Sequence, residues 1–136
     1  VKDRVIILSN AGEDLKMNVL AKAKLYLHPM FFEHFGISVV EAMASGLIPI
    51  VHKSGGPWID ILEAKDGLYG FKFESIDEGA QRISELIENR EMYNEIRIRA
   101  IERAKTFDEE VFKKRIQQIV NMLIKVKHSE RIAYSR

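Results

Sequence analysis

Short apolar runs alternate with helical patterns in the first half of the chain. Four runs have the length and composition of strands: residues 5–8, 25–27, 47–51 and 70–73. Apolar residues at helical spacing over 13–23 and 37–44 predict helices between them. Strands that alternate with helices in this way are typical of βαβ units and a parallel sheet. The pattern therefore predicts an α/β fold, with a Rossmann-like parallel sheet flanked by helices.

The second half of the chain has a helical pattern only. From Ile76 onward the spacing predicts three helices, with breaks at Asn89-Arg90 and near residues 106–108, where Thr106 or Asp108 would cap the last helix. Residues 128–136 are polar and are expected to form a frayed tail. At 136 residues the chain is predicted to be one domain, 1–136, that ends in this helical segment.

The helix predicted over 37–44 is apolar nearly all round, apart from a narrow polar stripe of Ser38, Glu41 and Ser45. Such a helix is buried, so Glu41 is expected to face a crevice or a partner. Its two carboxylate oxygens can accept hydrogen bonds from the neighbouring hydroxyls of a sugar. Glu33, in the loop before this helix, lies nearer the helix N-terminus. Both acids are therefore candidates to bind one ligand.

A double glycine follows the third predicted strand. Gly55 and Gly56 allow close backbone approach, and Pro57 is favoured at the first position of a helix, so amides at this helix start are candidates to bind an anion. In parallel sheets ligands bind outside the carboxyl ends of the strands, where both Glu33 and this turn are predicted to lie. Hydroxyl acceptors beside a phosphate site indicate a nucleotide sugar as ligand.

The sequence EHFGISVVEAMASG at 33–46, followed by SGGPWIDIL at 54–62, resembles a known family. It is similar to the C-terminal, donor-binding half of retaining glycosyltransferases of the GT-B fold, family 4. Within that family, Glu33-His34 and Asp60 look most like the α-1,2-mannosyltransferases that extend dolichol-linked oligosaccharides. The resemblance extends from the strand predicted at 5–8 to about residue 107 and so covers nearly the whole chain.

This resemblance implies roles for individual residues. The acid matching Glu33 would be catalytic, contacting the donor sugar near the reacting carbon, and the acid matching Glu41 would bind the ribose. The backbone amides implied to approach the sugar and diphosphate are those of Phe35, Gly36 and Ile37 and those around Gly55, Gly56 and Pro57. No cofactor and no metal are expected, because the family is metal-independent.

The resemblance also implies a substrate and partners. The reaction would be transfer of a hexose, with mannose from GDP-mannose as the expected donor, to a glycan or lipid-linked acceptor with retention of configuration. The acceptor would bind mainly to an N-terminal domain outside this sequence. The Arg and Lys that the family uses for the diphosphate would lie on earlier elements of this same domain, before Val1. The chain is thus expected to be part of a two-domain enzyme and inactive alone.

Composition excludes several other classes. A net charge of +1, from 21 Lys and Arg against 20 Asp and Glu, gives no field that would attract nucleic acid. The absence of cysteine excludes disulfides and thiolate metal centres. No apolar run reaches the ~20 residues of a membrane span, and the first residues do not form a signal peptide. A cytoplasmic protein is expected, with peripheral membrane association of the full-length enzyme.

Alternative interpretations stay open for the whole chain and for single motifs. A non-catalytic Rossmann-like module could bind a nucleotide or a protein through the same crevice. A dinucleotide-dependent oxidoreductase is disfavoured, because no G-x-G-x-x-G follows a strand. Gly55-Gly56-Pro57 could be an ordinary turn, and Glu41 an ordinary solvated residue.

Basic and imidazole side chains are mostly expected to be structural. His28 and His34 lack the spacing of metal ligands and are assigned structural or loop roles. His52 and Lys53 precede the glycines, and whether they contact phosphate stays open. Two groups of basic residues are expected to be solvated helix faces: Arg97, Arg99 and Arg103, and Lys113, Lys114 and Arg115.

Overall fold

A computed structural model describes the backbone of residues 4–134 and the side chains of residues 4–126. Three strands are present: β1 (Leu25–His28), β2 (Ile48–His52) and β3 (Phe71–Phe73). The helices are α1 (Glu13–Lys22), α2 (Ile37–Ala44), α3 (Ile76–Glu88), α4 (Arg90–Ala104) and α5 (Glu109–Tyr134). A short π-helix (Pro57–Ile61) and a 3-10 turn (Lys105–Phe107) complete the elements. The predicted α/β class is confirmed.

The three strands form one parallel sheet in the order β1-β2-β3. His28 at the end of β1 pairs with Val51, and His52 at the end of β2 pairs with Phe73. Because the strands run in one direction, their carboxyl ends meet at one edge of the sheet. The loop after β1 and the turn after β2 therefore start side by side.

Strand β2 is buried because it has a neighbour on each side and helices over its faces. Ile48 and Ile50 pack with Phe71, Leu86 of α3 and Ile96 of α4 in one apolar cluster. Each such side chain contributes about 1.5–3 kcal/mol when it leaves water. This cluster fixes the sheet against α3 and α4.

Helix α2 packs against α4 and β2 through its apolar side, where Val39, Val40, Ala42 and Met43 are buried. Gly36 begins the helix with φ +89°, in the left-handed region that glycine tolerates best. The polar stripe with Glu41 stays partly exposed, as the sequence pattern predicts, and Ile37 and Ala44 are exposed as well.

The strand predicted at 5–8 is wrong. Val5, Ile6, Ile7 and Leu8 have no strand conformation, and Ile6 and Ile7 are 84% and 85% exposed. In the described residues β1 pairs with β2 alone, and no residue of α1 is buried. A β-branched run has a preference for extended backbone, but only pairing and packing turn that preference into a strand.

Contacts divide the chain into two compact units, Val1–Ala104 and Lys105–Arg136. The first contains the sheet and α1 to α4, and the second contains α5. The predicted cap of α5 is confirmed, because the Glu110 amide donates to Asp108 Oδ1 at 2.8 Å. Most of the polar tail expected at 128–136 has helical backbone, because α5 continues to Tyr134. Residues 135–136 and the side chains from 127 onward lie outside the described residues. A single domain and a frayed tail stay predictions.

The arginines of α4 are bonded to loops and do not form the solvated face that we expected. Each of the three donates from Nε to a backbone carbonyl: Arg97 to Gly46 at 3.2 Å, Arg99 to Leu68 at 2.9 Å and Arg103 to Ile61 at 2.9 Å. A guanidinium carries several donors in a fixed plane, so one side chain can bond a loop and still contact water. These bonds attach the connections between the strands to α4.

Candidate functional site

Two segments meet at the carboxyl edge of the sheet: the post-β1 loop, residues 29–36, and the post-β2 turn, residues 53–56. The Phe32 amide donates to Ser54 Oγ at 3.0 Å, and the Gly56 amide donates to the Glu33 carbonyl at 2.8 Å. The Phe31 ring lies over the His52 ring, with 3.9 Å between centroids. The fold thus brings together the two segments that the sequence singled out.

The double glycine permits this contact between backbones. A Cβ at Gly55 would overlap the Glu33 carbonyl oxygen, and a Cβ at Gly56 would overlap the His34 carbonyl oxygen and lie 2.6 Å from Phe35 Cα. Gly55 also has φ +72°. From the sequence we expected these glycines to let a ligand approach the backbone closely. In this structure it is the post-β1 loop that lies against them. Diphosphate binding by Gly55 and Gly56 stays a prediction, with the Gly56 amide already bonded to Glu33.

Pro57 begins a helix where expected, but this π-helix is only five residues long. Pro57 is buried, and a Cβ on Gly36 would lie 2.9 Å from Pro57 Cγ. The proline ring therefore fills the space beside the start of α2. A helix this short carries little dipole, so any anion binding here depends on individual amides.

The Glu33 carboxylate lies at the edge of the post-β1 loop with 24% of its side chain exposed. Its Oε1 accepts from the His34 amide at 3.0 Å, and its Oε2 lies 3.9 Å from His28 Nε2. A carboxylate held this way on one oxygen keeps hydrogen-bonding capacity on the other. Glu33 is thus oriented and still reachable from the solvent.

His28 is a residue whose position the sequence analysis did not use. It ends β1, it is 8% exposed, and its Nε2 is buried without a hydrogen-bond partner among the described residues. A polar residue at the last position of a strand at this edge was the signal available in the sequence. The structure adds that His28 Nε2 lies 3.9 Å from Glu33 Oε2.

The Glu41 carboxylate faces α1. Lys16 Nζ lies 3.3 Å from each of its two oxygens, and Glu13 lies 3.2 Å from the same ammonium. The hydrogen bonds that Lys16 donates to Glu13 and, second, to Glu41 raise the pKa of Lys16. Glu41 is thus paired with Lys16, but with 43% of its side chain exposed it does not have the buried setting that the sequence pattern indicated. The structure does not test a contact with ribose.

The basic residues at the post-β2 turn are engaged with protein groups. His52 Nδ1 lies 2.7 Å from Ser54 Oγ, and Lys53 Nζ donates to Glu74 Oε1 at 3.0 Å. Glu74 also accepts from Lys72 at 2.9 Å, and these two ammonium groups, Lys72 first, lower its pKa. A phosphate contact by Lys53 would compete with Glu74.

Other features of the described chain lie apart from this edge. A cavity of about 380 Å³ opens at the amino end of β1 and is lined by Lys24, Leu25, Leu86, Ile87, Arg90, Tyr93 and Asn94. It lies at the opposite end of the strand from Glu33. In residues 4–126 no three His, Cys, Asp or Glu side chains are grouped so as to hold a metal ion. None of the described helices is both long enough and apolar enough to cross a bilayer.

Comparison with known sequences identifies the family. The profile of the family described as "Glycosyl transferases group 1" matches residues 1–103. The chain belongs to this family. The matched segment ends next to the end of the first compact unit, Val1–Ala104, so the sheet and the candidate site lie within the matched region.

Several relatives carry the name "GDP-Man:Man(3)GlcNAc(2)-PP-Dol alpha-1,2-mannosyltransferase". The protein from Dictyostelium discoideum is 35% identical over 91% of this chain and 24% of its own length. The protein from Neurospora crassa is 36% identical over 96% of this chain and 24% of its own, and the human protein is 41% identical over 64% and 18%. The resemblance inferred from the sequence is confirmed, and the chain spans about a quarter of the length of the first of these relatives.

Proposed function

We propose that this chain is the donor-binding part of a glycosyltransferase that transfers mannose from GDP-mannose to a lipid-linked glycan, with retention of configuration. The observation that carries the proposal is the meeting of the Glu33 loop and the Gly55-Gly56 turn at the carboxyl edge of a parallel sheet. Membership of the glycosyl transferases group 1 family supports the reaction class. The name that these relatives carry supports GDP-mannose as the donor and a lipid-linked glycan as the acceptor.

Glu33 is proposed to orient the sugar. Its Oε1 is occupied by the His34 amide, so Oε2 is the oxygen available for a sugar hydroxyl near the reacting carbon. The carbonyl of the same residue is bonded to Gly56, so the backbone that carries the carboxylate is fixed to the post-β2 turn. A group positioned before the substrate arrives lowers the entropic part of the barrier.

Glu41 is proposed to bind the ribose hydroxyls. Both of its carboxylate oxygens lie 3.3 Å from Lys16 Nζ, so a ribose diol would have to displace the ammonium group or bind beside it. Giving up an exposed ion pair costs little free energy in water. The amides of Phe35, Gly36 and Ile37 would complete the site at the start of α2.

The diphosphate is proposed to bind at the Gly55-Gly56 turn, with further cationic groups from outside this chain. Amides and cations there would stabilise the charge that develops on the leaving nucleoside diphosphate, so the reaction would need no metal ion. The lipid-linked acceptor would bind outside this chain and would bring the complete protein to a membrane surface.

Calorimetric titration with GDP-mannose, UDP-glucose and ADP-glucose tests the donor. The protein to use is the complete polypeptide that carries this sequence. We expect GDP-mannose to bind most tightly and to support transfer to a lipid-linked mannosyl acceptor. Equal binding of all three donors would remove the assignment of guanine, and binding without transfer would favour the non-catalytic nucleotide-binding module.

Glu33→Ala and Glu41→Gln form a matched pair for the two ends of the donor. Glu41→Gln should weaken the binding of GDP and GDP-mannose alike, by about 1–3 kcal/mol, because a charged acceptor to the ribose is lost. Glu33→Ala should lower the transfer rate strongly and leave inhibition by GDP nearly intact, because its contact is with the sugar. Parental turnover of Glu33→Ala would contradict the catalytic assignment of Glu33.

A further inference from the structure

A buried imidazole, that of His28, lies beside the proposed catalytic carboxylate. His28 Nε2 has no hydrogen-bond partner among the described residues, and the group that faces it is Glu33 Oε2 at 3.9 Å. Buried polar atoms are nearly always hydrogen-bonded, so an unpaired one in a native fold calls for an explanation. The nearby carboxylate oxygen provides one.

Two of the three oxygens of Glu33 accept a hydrogen bond, and the third, Oε2, is the one nearest His28. The carbonyl of Glu33 is bonded to the Gly56 amide and its Oε1 to the His34 amide, which leaves Oε2 without a donor in the interactions described. A movement of about 1 Å would bring Oε2 to the ~2.9 Å of an ordinary N–H···O bond with His28. The neutral imidazole with its proton on Nε2 can donate this bond.

We propose that His28 is a positioning residue for Glu33, donating from Nε2 to Glu33 Oε2 and so holding the carboxylate towards the donor sugar. This inference rests on the proposed function. Nε2 is buried, so the substrate reaches Glu33 and not His28, and His28 acts only through the carboxylate. Its place at the end of β1, where it pairs with Val51, puts it on a regular element of the sheet.

The test uses three variants of His28 in the complete polypeptide that carries this sequence. His28→Phe keeps a ring of similar size without a donor, His28→Gln places an amide donor near the position of Nε2, and His28→Asn carries the same amide on a shorter side chain. We expect His28→Phe to lower kcat by about 10- to 100-fold, the effect of a misplaced reacting group. Inhibition by the nucleoside diphosphate should not change, and His28→Gln should retain more turnover than His28→Asn.

A double-mutant cycle with Glu33 separates positioning from general damage. If His28 acts through Glu33, His28→Phe has no further effect on kcat in a Glu33→Ala background. The same fold-loss in both backgrounds, or parental kcat for His28→Phe, overturns the inference. Should His28→Phe fail to fold, as judged by thermal unfolding, equal turnover of the Gln and Asn variants overturns it instead.

The same experiment distinguishes failure of the inference from failure of the proposed function. If the parental protein transfers sugar and Glu33→Ala impairs that transfer while His28→Phe does not, only the role of His28 is wrong. If the parental protein neither binds nor transfers a nucleotide sugar, the proposed function is wrong and the role of His28 falls with it.

Discussion

Replacement of Gly56 by alanine is expected to separate the two segments that form the site. Gly56 has φ −59° and ψ −40°, which any residue adopts, so the added methyl group introduces no backbone strain. The methyl group would instead overlap the His34 carbonyl oxygen and lie 2.6 Å from Phe35 Cα. Carbon atoms in contact normally lie ~3.5–4.0 Å apart, so the post-β1 loop has to move by about 1 Å.

The expected loss of stability follows from these contacts. Overpacking of this kind costs about 1–3 kcal/mol, and the bond from the Gly56 amide to the Glu33 carbonyl, now 2.8 Å, contributes about 0.5–1.5 kcal/mol when it breaks. The lower entropy of the unfolded alanine variant offsets about 0.4–1 kcal/mol. We therefore expect Gly56→Ala to lower the free energy of unfolding by roughly 0.5–4 kcal/mol.

Urea unfolding measures this change. Trp58, the single tryptophan of the chain, lies two residues from the substitution and reports the transition by fluorescence. Gly12→Ala is the matched control, because Gly12 also has a negative φ, −66°, and a Cβ there meets nothing within 4 Å. The control should cost less than about 1 kcal/mol, the difference between glycine and alanine at a helix N-cap.

Donor binding by the complete polypeptide tests the functional consequence of the same two substitutions. Displacement of the loop moves Glu33, so Gly56→Ala should also weaken donor binding in the complete polypeptide, whereas Gly12→Ala should not. The reasoning is refuted if Gly56→Ala costs no more stability than Gly12→Ala. That result would mean that the loop yields freely and that the double glycine does not hold the Glu33 loop in place.

Two further expectations concern side chains that the site does not use. Arg103→Ala should lower the free energy of unfolding by about 1.5–3 kcal/mol, because the Arg103 guanidinium bonds two loop carbonyls and the Glu63 carboxylate. Arg90→Ala is the control, because Arg90 is exposed on the same helix. Equal effects of the two substitutions on the urea midpoint would contradict this role of Arg103. The hydrogen bond from Lys72 and then that from the Glu74 amide hold the pKa of Glu78 below its ordinary value of 4.5. Because the pKa of Glu78 is lowered by folding, its carboxylate stabilises the fold above pH 4.5, and this stabilisation is lost as the pH falls below 4.5. Glu78→Gln should therefore flatten the acid side of the curve of thermal stability against pH. An unchanged curve would show that the ion pair of Glu78 with Lys72 is screened by water.

The amino-acid sequence alone predicted the local structure and the motif well. Helices α1 to α5 and strands β1 to β3 lie where the apolar spacing places them. In α2, α3 and α4 the reason is that a buried face imposes the helical period on the residues of the helix. The Glu33 to Glu41 segment and the Gly55-Gly56 turn were also recognisable, because each needs particular residue types at short, fixed spacing. Such information is contained within one or two elements of the chain.

Tertiary structure decided which polar groups meet. The contact between Gly56 and the Glu33 loop, the place of His28 beside the Glu33 carboxylate and the pairing of Glu41 with Lys16 all join residues from separate elements. Tertiary structure also decided the fate of the apolar run at 5–8. Its composition favours a strand, but it pairs with no strand among the described residues. Periodicity encodes the face that a residue occupies, whereas the register of the strands and the course of the loops determine what lies opposite that face.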